Sequence, residues 1–265
     1  MTPAWSGGTV GERARCVLAP NPGPMTLDGT NTWLLAEPGS QVAVVVDPGP
    51  DDESHLRAVL AAAEQDGRRV GVALLTHGHP DHAAGARRLA ELAGVGVRAL
   101  DPAQRLGEEG LSDGEVLEVA GLQIRVVGTP GHTADSLSFL VAADGGLLTG
   151  DTVLGRGTTV VAYPDGRLAD YLDSLERLAA MAGSGRVERV LPGHGPVLDD
   201  PAGALDRYLE HRRQRLAQVA AAVDAGDRTP AAVVARVYAD VDRALWPAAE
   251  LSVRAQLEYL GVRSQ

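Results

Sequence analysis

Leu74-Leu75-Thr76-His77-Gly78-His79-Pro80-Asp81-His82-Ala83-Ala84-Gly85 places three histidines and a carboxylate within six residues, directly after the apolar run Val72-Ala73-Leu74-Leu75. The run reads as a short buried strand, which Gly78 and Pro80 break into a turn. Neutral imidazole and carboxylate are ligands that zinc, iron and manganese take from protein. His77 and His79, one residue apart where the backbone curls, can face one ion. Asp81 and His82 stand at the mouth of a predicted helix, Asp81 through Leu92, and can face a second. The chain has seven histidines in 265 residues, so their concentration here marks a metal site rather than a polar loop.

The pattern His-x-His-x-Asp-His after a strand resembles the metallo-β-lactamase superfamily, and that resemblance calls for further ligands at other strand ends. Gly128-Thr129-Pro130-Gly131-His132-Thr133 follows the apolar Ile124-Arg125-Val126-Val127. Leu147-Leu148-Thr149-Gly150-Asp151-Thr152 ends a strand on a carboxylate, and Leu191-Pro192-Gly193-His194-Gly195-Pro196 ends another on a histidine. Each tip sits beside glycine, where backbone can come close to a metal. The resemblance implies that His77, His79 and His132 hold one ion, that Asp81, His82 and His194 hold another, and that Asp151 bridges the two. It implies hydrolysis by a hydroxide held between the ions, attacking a carbonyl or phosphoryl centre. Asp81, as orienter of the nucleophile, and Asp151 are the carboxylates expected to bear on catalysis. Two zinc ions are the default cofactor, and iron or manganese accept the same donors. Thr133, Asp135 and Ser136 follow a ligand directly and either support it by hydrogen bonds or cap the loop.

Composition describes an ordinary soluble protein: 45% hydrophobic and 22% charged residues, with only 3% aromatics, so Val, Leu and Ala must supply the packing. All 24 basic residues are arginine. The single Cys16 excludes an internal disulfide and fits a packed small side chain in a reducing compartment. Met1 through Val10 lacks the features of a signal peptide, and no apolar run reaches the ~18 residues of a membrane span, so no membrane association and a cytoplasmic location are expected. The net charge of −11 is unevenly placed: the first 200 residues carry 15 basic against 27 acidic groups, the remainder 9 against 8. An acidic body repels a polyanion at long range.

Strands are predicted for 15–19, 32–36, 41–46, 95–100, 115–119, 122–127, 136–141 and 146–149, with a further strand leading into His194. Helices are predicted from Asp51-Asp52 to about Gln65 and from Leu168 to Met181. Strands in two batches with interspersed helices give an α+β fold, an αββα sandwich with helices on both outer faces. His55, on the first helix, reads as solvated and receives no role. Gly155-Arg156-Gly157-Thr158-Thr159 reads as a loop near the metals and not as a phosphate-binding loop, since no Lys follows its glycines. Residues 1–200 form the expected catalytic domain and 201–265 a small helical one. Pro201 opens a helix to about Ala225, Thr229 caps a second starting at Pro230, and a third spans about 249–260. Three such helices resemble the winged-helix-like tail of the β-lactamase-like protein 2 branch, as do Asn21-Pro22, Thr30-Asn31-Thr32 and Asp170-Tyr171-x-x-Ser174-Leu175. Little sequence follows Gly261 to build a wing.

Function is read as hydrolysis of a small-molecule ester or thioester, because of the acidic body. Single-strand RNA is the alternative substrate, implied by the same branch. An iron-dependent persulfide dioxygenase with one ion and a non-catalytic metal-binding module complete the set. Arg212, Arg213 and Arg215, beside His211, form the one basic cluster in the tail and read as a solvated face or an interface.

Overall fold

The computed structural model describes residues 4–107 and 109–262; Met1–Pro3 of the N-terminal stretch and residues 263–265 of the expected helical domain lie outside them. Its continuous apolar runs become strands buried on both faces. In the second sheet, neighbouring residues Val126 and Val127, Phe139 and Leu140, and Leu148 and Leu147 enter different clusters. The first of each pair packs between the sheets and the second packs under the helices. A strand alternates its side chains between faces, so burial on both sides requires an unbroken apolar run.

Strands β1 (Gly8–Val10), β2 (Ala14–Leu18), β3 (Asn31–Leu35), β4 (Val42–Val46), β5 (Arg69–Leu74) and β6 (Val97–Arg98) form one sheet in that order. It is antiparallel from β1 to β4 and parallel from β4 to β6. Strands β7 (Val116–Val119), β8 (Leu122–Gly128), β9 (Leu137–Val141), β10 (Gly146–Gly150) and β11 (Arg189–Pro192) form the other, in the order β11-β10-β9-β8-β7. Only β10 and β11 are parallel there. Leu35, Val44, Val46 and Leu74 meet Ile124, Val126 and Phe139 in the core between the sheets. Helix α1 (Glu53–Gln65) packs on the first sheet. Helices α4 (Leu168–Gly183) and α5 (Pro201–Asp224) cover the second, through Tyr171, Leu175, Leu178, Leu205 and Leu209. The architecture is the expected αββα sandwich.

The helix predicted from Asp81 to Leu92 is two helices, α2 (Pro80–Ala83) and α3 (Ala86–Ala93). The break falls at Gly85, whose N–H is drawn out of the helix to Gly49 O at 2.9 Å. A Cβ on Gly85 would come within 2.7 Å of Pro50 O and 2.9 Å of Leu56 Cδ2, so the chain crosses here only as glycine. The predicted strand at 95–100 shrinks to two residues. His55, expected in solvent, is buried at 3% exposure, with Nε2 2.9 Å from Thr32 Oγ1. It belongs to the inward stripe His55, Leu56, Val59, Ala62 and Ala63, and burial lowers its pKa towards the neutral form.

The C-terminal region is helical. Asp200 caps α5 through Gly203 N, and Thr229 caps α6 (Pro230–Val237) through Ala232 N, while α7 spans Trp246–Tyr259. The first half of α5 puts Leu205, Tyr208 and Leu209 into the core over the second sheet; its second half puts Val219 and Val223 into a separate cluster with Val233, Val234, Val253 and Leu257. Among the described residues no strand follows α5. Arg212 departs from the solvated face expected of it. It is 6% exposed, with its guanidinium 4.8 Å from the centre of the Tyr171 ring. Arg215 is half-buried against Tyr238, and only Arg213 lies on the surface, beside Glu176.

Leu205 is fully buried at the junction of α5 with the sandwich. Leu205→Ala should therefore lower unfolding free energy by about 2–5 kcal/mol, read as a shifted urea midpoint, whereas Leu251→Ala, at a 39% exposed position, should shift it little.

Candidate metal centre

The four expected strand tips converge. His77 and His79 follow β5, Asp81 and His82 lie in α2, His132 follows β8, Asp151 immediately follows β10, and His194 follows β11. His79 Nδ1 lies 3.0 Å from both His77 Nε2 and His132 Nε2. His194 Nε2 lies 3.2 Å from both His82 Nε2 and Asp81 Oδ2. Asp151 stands between these groups: Oδ1 is 3.3 Å from His82 Nε2 and from His194 Nε2, and Oδ2 is 3.6 Å from His132 Nε2. Donor atoms of His77, His79 and His132 lie within 4.8 Å of one another, as do those of Asp81, His82 and His194, and those of His77, His82 and Asp151.

Hydrogen bonds decide which nitrogen of each ring faces inward. His132 Nδ1 donates to Val160 O at 2.8 Å, His194 Nδ1 to Gly29 O at 3.1 Å, and His82 Nδ1 to Asp47 Oδ2 at 2.9 Å. His77 Nδ1 donates to Thr76 Oγ1 at 3.0 Å, and that hydroxyl donates in turn to Asp47 Oδ2 at 2.7 Å. With every Nδ1 committed outward, the Nε2 atoms of these four rings are left for a proton or a metal. Asp151 Oδ1 is buried with no hydrogen-bond donor. Convergent nitrogen donors around an unsatisfied buried carboxylate are what divalent cations satisfy, so the residues present fit bound metal.

The electrostatics carry the same signature. Burial holds His77 and His132 below the usual histidine range. For His82 and His194 burial acts in the same direction but is outweighed by carboxylates. Asp151 and Asp47 raise His82 well above that range, and Asp151 and Asp81 raise His194 to about 9. Burial disfavours the Asp151 carboxylate, yet His194 and His82 hold its pKa well below the usual value. For Asp81, too, burial is overcome, by the His194 hydrogen bond and the charge of His82. The centre thus sets buried carboxylates against histidines on whose nitrogens protons and metal compete.

Glycine makes the convergence possible. A Cβ on Gly193 would lie 2.7 Å from both Asp151 Oδ1 and His82 Cε1, and one on Gly150, at φ +48°, would lie 2.5 Å from Thr76 Oγ1. The loops are also braced from behind. Asn31 Nδ2 donates to Pro192 O and Gly195 O, both at 2.9 Å, which fixes the turn bearing His194. From α4, Ser174 Oγ donates to Pro130 O at 2.7 Å and Tyr171 hydroxyl to Thr152 O at 2.6 Å. Thr159 Oγ1 donates to Asp151 O, so the 155–159 loop adjoins the centre as expected. Thr133, Asp135 and Ser136 hydrogen-bond among themselves, which is the loop-capping arrangement. Cys16 is packed, its thiol donating to Asn31 Oδ1 at 3.3 Å and its pKa pushed up by burial.

One supporting residue escaped the sequence reading. Asp47, 2% exposed, accepts from Thr76 N at 2.8 Å and also bonds Thr76 Oγ1 and His82 Nδ1. Its signal was a carboxylate at the tip of an apolar strand before Pro48-Gly49, the same context as the other tips.

Two outcomes follow for variants. Asp151→Asn keeps the shape but removes the charge shared by the two halves of the centre, so metal content by elemental analysis should fall towards one ion per chain; a full complement would contradict the bridging role. Asp47→Ala leaves every donor atom in place but releases His82, and metal affinity in chelator competition should fall about 10–100-fold.

The comparisons agree with this geometry. Residues 25–194 match the metallo-beta-lactamase superfamily, and residues 229–261 match the beta-lactamase associated winged helix domain. The beta-lactamase-like protein 2 homolog of Caenorhabditis elegans is 32% identical over 253 residues, which cover 92% of this chain and 82% of that protein. The lactamase-like protein adaB of Aspergillus niger is 33% identical over 216 residues, 81% of this chain; the match spans 65% of the fungal protein's length. A crystal structure of a beta-lactamase domain protein from Burkholderia ambifaria shares the fold, with a TM-score of 0.79 at 24% identity over 96% of this chain and 87% of that one. The chain therefore belongs to the metallo-β-lactamase superfamily, in the branch of the β-lactamase-like protein 2 homologues, with a winged-helix-type C-terminal domain.

Proposed function

We propose that this protein is a metallo-hydrolase that cleaves a small-molecule ester or thioester with two divalent ions, zinc by default, in the cytoplasm. The observation that carries the reading is a cavity of about 380 Å³ that reaches His132 and Asp151 from the side of the C-terminal helices. Leu27, Leu154, Val160, Val241, Leu245 and Ala249 give it largely apolar walls. Such a volume suits a compact acyl compound rather than a polymer strand. The acidic balance of the first 200 residues works against a polyanion as well. The buried, unpaired Cys16 thiol fits a reducing compartment, and no helix among the described residues is long and apolar enough to cross a membrane.

His77, His79 and His132 would hold one ion and Asp81, His82 and His194 the other, with Asp151 between them. Bound there, the ions supply Lewis acidity to the substrate oxygen and bring the pKa of a water near neutral. The chain contributes position and proton handling. Asp81 is 29% exposed against 12% for Asp151, so of the two it faces the solvent side, where its carboxylate would orient the attacking water. Asp151, tied through its backbone carbonyl to Thr159, stays fixed between the two donor sets. The apolar walls exclude water from the acyl body, which strengthens electrostatic interactions at the reacting carbonyl.

A panel of thioester, ester, lactone and single-stranded RNA substrates, run on zinc-loaded protein at several salt concentrations, tests the reading. Thioester or ester turnover should dominate and depend weakly on salt, and it should vanish with a chelator and return with zinc. Metal-dependent RNA cleavage with a log–log salt slope near −0.7 per phosphate contacted, lost in His77→Ala, would replace the small-molecule reading.

A further inference from the structure

The cavity carries a buried positive charge with no ion-pair partner among the described residues. Arg212 is only 6% exposed, and its contacts are the Thr159 carbonyl, to which Nη2 donates, and the face of Tyr171. Its Nε is buried with no acceptor, and none of the ion pairs among the described residues includes Arg212. Every other arginine on this wall is engaged. Arg156 pairs with Asp28, and Arg215 donates to Val237 O at 2.9 Å and to Gln218 Oε1 at 3.0 Å while stacking on Tyr238. Beside Arg212, His211 Nδ1 is also buried without a partner, and both residues line the cavity that reaches Asp151. Tethering the 155–159 loop needs one neutral donor; a guanidinium withdrawn from water without a counter-charge is a costly way to supply it.

We propose that Arg212 is the specificity residue of the cavity, binding a carboxylate on the substrate a short arm from the scissile carbonyl. This rests on the ester or thioester reading above and narrows it to acyl compounds with an apolar body and one acidic terminus. Arg212 and Asp151 are linked through a single residue, Thr159, which bonds both, so the anion and the reacting centre are held in one rigid frame. One uncompensated cation calls for one negative charge. The planar guanidinium fits a carboxylate through two parallel hydrogen bonds, and the unpaired Nε is one of the donors that geometry uses. The surrounding apolar walls raise the strength of that pair by excluding water.

The test compares two thioesters of one neutral thiol on zinc-loaded full-length protein, one with an acyl chain ending in a carboxylate and the other in the isosteric carboxamide. Wild type should prefer the carboxylate by about 10–100-fold in kcat/KM. Arg212→Gln should bring the ratio near one, and Arg212→Lys should keep part of it. Calorimetry gives a readout free of turnover. Glutarate should bind more tightly than its monoamide, which keeps one carboxylate for the metals, and the difference should disappear in Arg212→Gln. If Arg212→Gln does not fold, the wild-type pair decides alone: equal kcat/KM and equal binding for acid and amide overturn the proposal. A variant that slows both thioesters equally, leaving the preference intact, also overturns it, because the residue would then be bracing the loop. Tighter binding of a phosphonate-terminated analogue would overturn the carboxylate assignment. If neither thioester is hydrolysed, the ester reading fails, while the glutarate pair still decides whether Arg212 binds a carboxylate.

Discussion

Asp47 is a carboxylate buried at the end of a strand, and the metal centre depends on how its charge is used. One oxygen receives the amide of Thr76; the other receives the Thr76 hydroxyl and the His82 ring. Through these bonds it sets the start of the His77-His79 turn, orients His77 by way of Thr76, and fixes His82 on the far side of the centre. A buried carboxylate without donors would be prohibitively unfavourable. The strand-to-loop junctions at Val46 and Leu74 must therefore stay in register, or three hydrogen bonds to a buried charge are lost together.

The remaining architecture brings the other tips to this frame. His77 and His79 follow a strand of the first sheet and His132, Asp151 and His194 follow strands of the second, and the first sheet reaches the second through Asn31 and Trp33, which hold the turn bearing His194. Helix α4 fixes the His132 and Asp151 loops from outside through Ser174 and Tyr171. Helix α5 then packs on α4, with the Tyr208 hydroxyl accepting from Leu154 N at 2.8 Å. Helix α5 is thus part of how the loop after Asp151 is held, and the winged-helix-type region beyond it helps to shape the cavity.

The sandwich and all seven candidate ligands were legible because metal chemistry demands a narrow set of side chains in a narrow context, at apolar strand ends beside glycine. What was not legible depended on contacts between distant segments. Nothing local marks Gly85 as a helix break; its amide is claimed by Gly49, thirty-six positions earlier. His55 and Arg212 were read from residue type alone. Each in fact lies on the buried stripe of its helix, His55 four residues before Val59 and Arg212 three after Leu209. Periodicity placed both inside, and polarity argued them out. Asp47 shared the context of the other tips but stood without a histidine beside it.

The claim that everything else rests on is that these seven side chains hold two ions in two distinct donor sets. Anomalous diffraction at the zinc edge, from crystals of zinc-loaded protein, measures it directly. Two peaks are predicted, one among His77, His79 and His132 and one among Asp81, His82 and His194, with Asp151 between them. A single peak, or a peak outside these donors, would contradict the account.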